Sequence, residues 1–360
     1  MVNASSVEQS GRQLGPPHPA PKATELSLPR RCPTGSKWLP CAEAGPPVLR
    51  DAEAMLQKPL AHYWSPDEDS ARWWDFQFRE GDVVVSTRSK SGTTWVQMIC
   101  LLLVFHDARL PGPVGDLSPW LDWLVRPKME VYAHLDAQDH RRVIKTHTPL
   151  DGVPLDDRAT YVVVARHPLD MGVSLYHHSR NIDRARMAEL TGNRSPSSAA
   201  AARSQPQLHE WLLGFIDGDA DPREPGNLDT LPGAMLHLSD AWSRRASPNV
   251  VLVHYDDLLA DLEGTMRALA RRLDVAVDEG CWPLLVRAAT FRSMQESARS
   301  VVPDTLGVLK DPTAFFRRGG SGEGTSILDV AELAHYHARV AELAPADLLG
   351  WLHRDVAGAT

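Results

Sequence analysis

Lysine is scarce in this chain. Of its 38 basic residues only seven are Lys and 31 are Arg. Arg is the default cation, so a Lys at a candidate site is informative: it sets a compact point charge where Arg would set a planar fork. Positive charge is not in excess either. The 46 acidic residues leave a formal net charge of −8, which argues against general nucleic-acid binding. Long apolar runs are missing. The longest, Val96–Phe105, is ten residues even with Gln97 counted, against the roughly 18 needed to span a bilayer. Cysteine is sparse: Cys32, Cys41, Cys100 and Cys281 form no C-x-x-C pair. Cys100 and Cys281 lie in apolar surroundings and read as small core residues. The chain does not open on a basic segment followed by an apolar one, so the expectation is no secretory signal and a reducing cytoplasm. Metal motifs are lacking, with no H-E-x-x-H and no Cys cluster. The EF-hand-like Asp217-x-Asp219-x-Asp221 carries Pro222 where Gly is required and Leu228 where Glu is required. No bound metal is expected.

What is present supports a sizeable core. The 360 residues are 43% hydrophobic and 23% charged, which fits two domains or one large α/β domain. Residues 1–60 are rich in Pro, Ser, Ala and Gly without sustained period, and a flexible extension is expected there. Order is expected to begin near Trp64. Short β-branched runs at Val83–Ser86, Arg142–Ile144, Tyr161–Ala165 and Asn249–His254 read as strands. Helices are expected over Thr93–Phe105, Pro168–Ser179, Leu258–Leu273 and Asp329–Leu343. Strands alternating with helices mean an α/β fold with a central parallel sheet. Residues 191–207 and 217–233 read as mobile surface loops.

Four segments carry chemistry. Ser89-Lys90-Ser91-Gly92-Thr93-Thr94-Trp95 joins a buried strand to a helix, where backbone N–H groups and the positive helix start can cradle a phosphate. Its Lys precedes the Gly, so the Walker pattern is not matched. Arg166 ends a strand, and Ser174 follows in the next helix; an Arg fork and a hydroxyl there suit a second phosphate. Lys145-Thr146-His147 ends another strand, and a His beside a Lys at that edge suits proton transfer. Phe315-Phe316-Arg317-Arg318-Gly319 supplies aromatics, cations and a glycine loop that could close over an anion, or merely an exposed basic loop.

Taken together, these segments resemble the soluble sulfotransferases that use 3′-phosphoadenosine 5′-phosphosulfate (PAPS). Lys90-Ser91-Gly92-Thr93-Thr94-Trp95 is similar to their 5′-phosphosulfate loop, and Arg166 with Ser174 to their 3′-phosphate pair. Lys145-Thr146-His147 is similar to the segment with the catalytic His, and Tyr255-Asp256-Asp257-Leu258 to the segment whose Tyr contacts adenine. Thr290, Phe291 and Met294 match a further nucleotide segment, and Arg317-Arg318-Gly319 the C-terminal 3′-phosphate loop. The six occur in the family's order, and several runs resemble the actinobacterial branch with its mycobacterial glycolipid sulfotransferases. The resemblance implies a single P-loop-NTPase-like sulfotransferase domain over 61–355. It implies sulfuryl transfer from PAPS to a hydroxyl or amine of a small-molecule or lipid acceptor, without metal. His147 would be the base, with Lys90 and Lys145 at the leaving group. Phe105, Trp120, Trp123, His147 and Tyr176 would face the acceptor. Departures are visible: Ser89 stands for the family Pro, His167 for the usual Asp or Asn, Ala289 for a Thr near adenine, and Gly322-Glu323-Gly324 for the family G-D-W. Two alternatives remain open, a non-catalytic PAPS- or PAP-binding homologue and an ATP-dependent small-molecule kinase.

Overall fold

Valine-rich strands too short to be amphipathic must be covered on both faces, and this governs the architecture. In the computed structural model, residues 56–192, 206–302, 304 and 306–354 are described. The strands are β1 (Leu56–Gln57), β2 (Val83–Ser86), β3 (Val143–Thr146), β4 (Leu155–Asp156), β5 (Thr160–Ala165) and β6 (Val250–His254). Four of them form a parallel sheet in the order β3-β2-β5-β6, and β1 pairs antiparallel with β4. All four strands of the main sheet therefore end on one edge.

The helices through the first half are α1 (Thr93–Phe105), α2 (Val114–Leu117), α3 (Lys128–Asp136), α4 (Pro168–Asn181) and α5 (Arg184–Thr191). They continue as α6 (Leu208–Asp217), α7 (Leu231–Ser243), α8 (Tyr255–Ala260), α9 (Leu262–Arg272) and α10 (Trp282–Ala289). The last are α11 (Phe291–Glu296), α12 (Ala298–Val301), α13 (Glu323–Ile327), α14 (Val330–Leu343) and α15 (Ala346–Leu352).

Strand residues alternate between two cores, as the two-residue period demands. Val84, Ile144, Tyr161 and Val163 face one core, built with Met171 and Val173 of α4, Phe215 of α6, Met235 of α7 and Tyr336 of α14. Val83, Val85, Val143, Val162 and Val164 face the other, built with α1, Met266 and Leu269 of α9, and Leu285 of α10. The layers are thus helix, sheet, helix.

Several boundaries differ from expectation. Lys145 and Thr146 lie inside β3 rather than beyond it. The stretch expected as one helix over Leu258–Leu273 is broken at Asp261, whose extended backbone (φ −146°) ends α8 and whose carboxylate accepts from Gly264 N–H to cap α9. Leu56–Gln57 pair with β4, so the described fold starts ahead of the boundary expected at 61. Residues 1–55, and 193–205 of the expected loop 191–207, lie outside the described residues. The second expected loop runs between Asp217, the last residue of α6, and Leu231, which opens α7.

At the opposite edge of the sheet, Asp82 and Arg142 form a buried pair, each 1% exposed. Arg142 Nε donates to Asp82 at 2.8 Å, and its Nη2 also donates to the Gln77 carbonyl at 2.9 Å. This pair fixes the starts of β2 and β3. Asp82→Ala removes the buried partner of Arg142, leaving the guanidinium only the exposed Asp136 at 3.3 Å, and is expected to cost about 3 kcal/mol. Urea unfolding of the variant beside the wild type checks this.

Candidate active site

The edge where the strands end opens into a cleft of about 440 Å3. The chain leaves β2 through residues 87–92 and enters α1. Two residues of that loop hold left-handed backbone, Lys90 (φ +66°) and Gly92 (φ +106°). Only Gly fits at 92, since a Cβ there would lie 2.9 Å from the Tyr255 ring. Lys90 has no such freedom, and strain at a non-glycine marks a position held by its surroundings. The first intrahelical bond runs from Val96 N–H to Gly92 O. Helix geometry leaves the N–H groups of 92–95 without intrahelical partners at the positive end of α1, a ready anion cradle.

Positive charge converges here. Lys90, Lys145, Arg166, Arg317 and Arg318 all line the cleft. Burial, then Arg166 and Lys145, push the Lys90 ammonium down to about 7. Burial pushes Lys145 down to about 8 against the opposing pull of Glu68 and Asp122. Aromatic faces shield these cations: Lys90 Nζ lies 3.9 Å from the Phe315 ring centre, Lys145 Nζ 3.7 Å from Trp120, and the Arg166 guanidinium 4.4 Å from Tyr255. Arg166 donates to Lys90 O at 3.1 Å and Gly320 O at 2.9 Å, but its buried Nε has no partner. An orphaned guanidinium donor beside a glycine cradle fits an anionic nucleotide.

The loop that carries Arg317 and Arg318 is clasped to α4. Asp170, buried in the first turn of α4, accepts from Gly322 N–H and Gly324 N–H, each at 2.8 Å. A Cβ on Gly324 would lie 2.5 Å from the Leu169 backbone, and one on Gly319 (φ +64°) would lie 2.4 Å from the Phe291 ring. Glu323 pairs with Arg317 and Arg318, and those cations hold its carboxylate below the usual range.

His147 follows β3. Its Nδ1 lies 2.5 Å from Thr87 O. A carbonyl only accepts, so Nδ1 carries the proton and Nε2 keeps its lone pair. Burial, reinforced by Lys145 and Arg88, drives the imidazole well below its ordinary value, so it is neutral at pH 7. Buried Arg88 donates to His147 O and, at 2.5 Å, to Asp229. The segment 119–121 extends the sheet beside β3, with Lys145 N–H donating to Pro119 O at 2.9 Å and Leu121 N–H to Lys145 O at 3.2 Å. That lays Trp120 edge-on to His147 at 4.6 Å and stacks it on Trp123 at 4.9 Å. Below, Asp122 accepts from Thr146, Thr148 and Trp73.

Most of the expected site residues meet on this cleft: Lys90, Gly92, Thr93, Thr94, Trp95, Trp120, Trp123, Lys145, His147, Arg166, Ser174, Tyr255, Phe291, Met294, Arg317, Arg318 and Gly319. Four do not reach its wall. Phe105 is twelve residues along α1 from Thr93, about 18 Å at helical rise, and its ring lies against His140. Tyr176 turns toward Trp211 and Arg180 and donates to Pro206 O, while Leu175, His178 and Ser179 of the same helix face the cleft. The Thr290 hydroxyl is spent on the helix start, accepting from Ser293 N–H and donating to Arg287 O. Ser91 is buried away from the wall, its N–H donating to Arg88 O at 3.2 Å. Sequence reading missed Arg88, Glu68, Asp229 and the clasp by Asp170. Only Arg88, inside the phosphate loop, carried a local signal. Among the described residues no His, Cys, Asp and Glu cluster is placed to hold a metal ion, and no helix is long and apolar enough to cross a membrane.

Asp170→Ala removes the acceptor of two amide hydrogen bonds. Hydrogen exchange at Gly322 and Gly324 is expected to quicken about tenfold to a hundredfold, with α14 exchange unchanged. Mass spectrometry of exchanged peptides reads this directly.

Against known proteins, the sulfotransferase domain family matches residues 80–344. A glycolipid sulfotransferase of Mycobacterium bovis is 40% identical over 320 residues, covering 81% of this chain and 93% of that protein. One of Mycobacterium tuberculosis is 39% identical over 319 residues with the same coverage. Among solved structures, a retinol dehydratase in complex with androsterone and the inactive cofactor PAP shares the fold, with a TM-score of 0.56 and 22% identity over 80% of this chain and 86% of that one. The chain therefore belongs to the sulfotransferase family.

Proposed function

We propose that the protein transfers a sulfuryl group from PAPS to a hydroxyl of a lipid or glycolipid acceptor, with His147 as base and Lys90 and Lys145 at the leaving group. What carries the reading is the meeting of a neutral imidazole and two desolvated lysines on one cleft. PAPS supplies the sulfuryl group and a bisphosphate that leaves readily once its new charge is balanced. An alcohol is a poor nucleophile until its proton goes, and Nε2 of His147 takes it. The Thr87 carbonyl keeps the tautomer, and Arg88 keeps the backbone of His147 in place. The ammonium groups of Lys90 and Lys145 stand where negative charge grows, in a dry site that strengthens them. Arg166, Ser174, Arg317 and Arg318 hold the distal phosphate, while Trp95, Tyr255, Phe291 and Met294 pack against the base. Trp123, Met187, Trp211, Val308 and Leu309 give the acceptor end an apolar wall, which suits a lipid-bearing acceptor, as the names of the mycobacterial relatives suggest. The reading keeps the reaction in the cytoplasm, where nucleotide donors are made.

Calorimetry with the product nucleotide PAP tests the donor half. Binding is expected in EDTA, at equal affinity in wild type and His147→Ala, while the variant loses about 10²–10⁴-fold in turnover. Failure to bind PAP, or binding of ATP only with Mg2+, overturns the reading. Binding of PAP with no transfer to any acceptor marks a non-catalytic binder.

The lysines set the pH dependence. Each is lowered in the free cleft, to about 7 and about 8, and a bound polyanion raises both. Only the ammonium forms bind the anion well, so PAP affinity is full below pH 7. It is expected to fall as pH rises through 7–9, by up to about one log unit per pH unit for each lysine. Titrations in buffers of different ionisation enthalpy are expected to show proton uptake at pH 7.5; a flat profile contradicts it.

A further inference from the structure

At the acceptor end of the cleft stands a carboxyl that no protein group answers among the described residues. Glu68 lines the cleft, and among the described residues its carboxyl has no hydrogen bond or ion pair. Its neighbours are largely engaged: Asp229 receives Arg88, and Asp122 takes Thr146, Thr148 and Trp73 on Oδ2, leaving its buried Oδ1 without a partner. Burial pushes the Glu68 carboxyl up to about 8, and Arg88 and Lys145 only partly oppose this. At pH 7 it is mostly a neutral acid, able both to donate and to accept.

Glu68 is also fixed in place. Its backbone forms an antiparallel bridge with Trp123, which stacks on Trp120, which in turn meets His147 edge-on. A flat aromatic surface and an unsatisfied carboxyl therefore flank the base. A plain alcohol or phenol reacting at His147 would bury this carboxyl without a partner, which is costly. A ring that carries a second hydroxyl beside the reacting one would satisfy it, and its C–H face would lie on Trp123, since Trp120 is taken up by Lys145 and Trp123.

We propose that Glu68 is the acceptor-recognition residue, hydrogen-bonding a hydroxyl that neighbours the reacting one on an uncharged sugar ring held against Trp123. This rests on the sulfotransfer reading above and adds the residue that selects a glycoside over a simple alcohol.

Turnover of hexyl glucoside, hexanol and phenol with PAPS tests it, in wild type, Glu68→Leu and Glu68→Gln. Wild type is expected to favour hexyl glucoside in kcat/KM by at least about tenfold. Glu68→Leu is expected to raise KM for the glucoside about tenfold to a hundredfold. Tm stays near wild type, and at pH 6, where Lys145 is charged in either protein, so do PAP affinity and hexanol turnover. Glu68→Gln keeps a donor and an acceptor and is expected to retain most of the preference, which a merely steric role would not produce. Equal use of hexanol or phenol by wild type overturns the proposal. So does an unchanged glucoside KM in folded Glu68→Leu. If Glu68→Leu does not fold, the wild-type preference and Glu68→Gln decide. No turnover of any acceptor by protein that binds PAP counts against sulfotransfer itself. Binding of hexyl glucoside to the PAP complex, wild type against Glu68→Gln and Glu68→Leu, then decides the role of Glu68 separately.

Discussion

Like charges crowd at the end of the sheet, and the rest of the site answers to that crowding. Lys90, Lys145 and Arg166 share a cleft with Arg317 and Arg318, and burial already presses the two ammonium groups toward neutrality. Such an arrangement is costly unless the positions are over-determined. Three devices supply this. Aromatic faces of Phe315, Trp120 and Tyr255 lie against the cations. Glu323 balances the pair Arg317 and Arg318. The backbone is held where a side chain alone would retreat, with Lys90 kept at positive φ.

The parallel sheet makes the crowding geometrically unavoidable. Ser86 sits in register with Thr146 on one side and Val163 on the other, so the 87–92 loop and His147 emerge together, and β5 runs two residues further along β6 before Arg166. A loop, a His and an Arg thus reach one crevice without any long-range coincidence in sequence. The flanking strand β6 then delivers Tyr255 to the same edge through its own register with β5. This is the general behaviour of open α/β sheets, whose ligands lie beyond the carboxyl ends of the strands.

That geometry explains what was legible in the sequence. The four β-branched runs gave the sheet, because strands covered on both faces need continuous apolar residues. The glycine loop, the strand-end Arg and the Lys-Thr-His segment could be placed on the cleft, because each lies next to a recognisable element boundary. Phe105 and Tyr176 were misplaced because helix rise and rotation decide which residues face a cleft, and spacing within a motif does not report them. Asp261 broke an expected helix because an Asp in mid-pattern can cap a new start as well as sit on a surface. Glu68 and Asp229 were invisible for a different reason: they meet Arg88 from 20 and 141 residues away, and nothing local marks an Asp or Glu as buried in company.

The C-terminal loop shows how a departure from a family pattern can be absorbed. Where the pattern has Asp and Trp, this chain has Glu323 and Gly324. A bulky residue at 324 has no room, because even a Cβ would lie 2.5 Å from the backbone of Leu169. Backbone approaches backbone instead, and the two amides exposed by that approach fall to a carboxylate already buried at the start of α4. The clasp has a geometric consequence. Asp170 belongs to the same helix as Ser174 and follows Arg166 by four residues, so one short segment fixes both residues that the proposed reading assigns to the distal phosphate. The loop's Arg pair is then positioned by the same element that carries its counterparts. A Trp packed against the nucleotide would couple loop order to occupancy; a carboxylate holding backbone amides sets the loop before any ligand arrives. Pre-organisation of this kind lowers the ordering cost of binding, and in the proposed reading Glu323 is the group that the donor's phosphate displaces from Arg317.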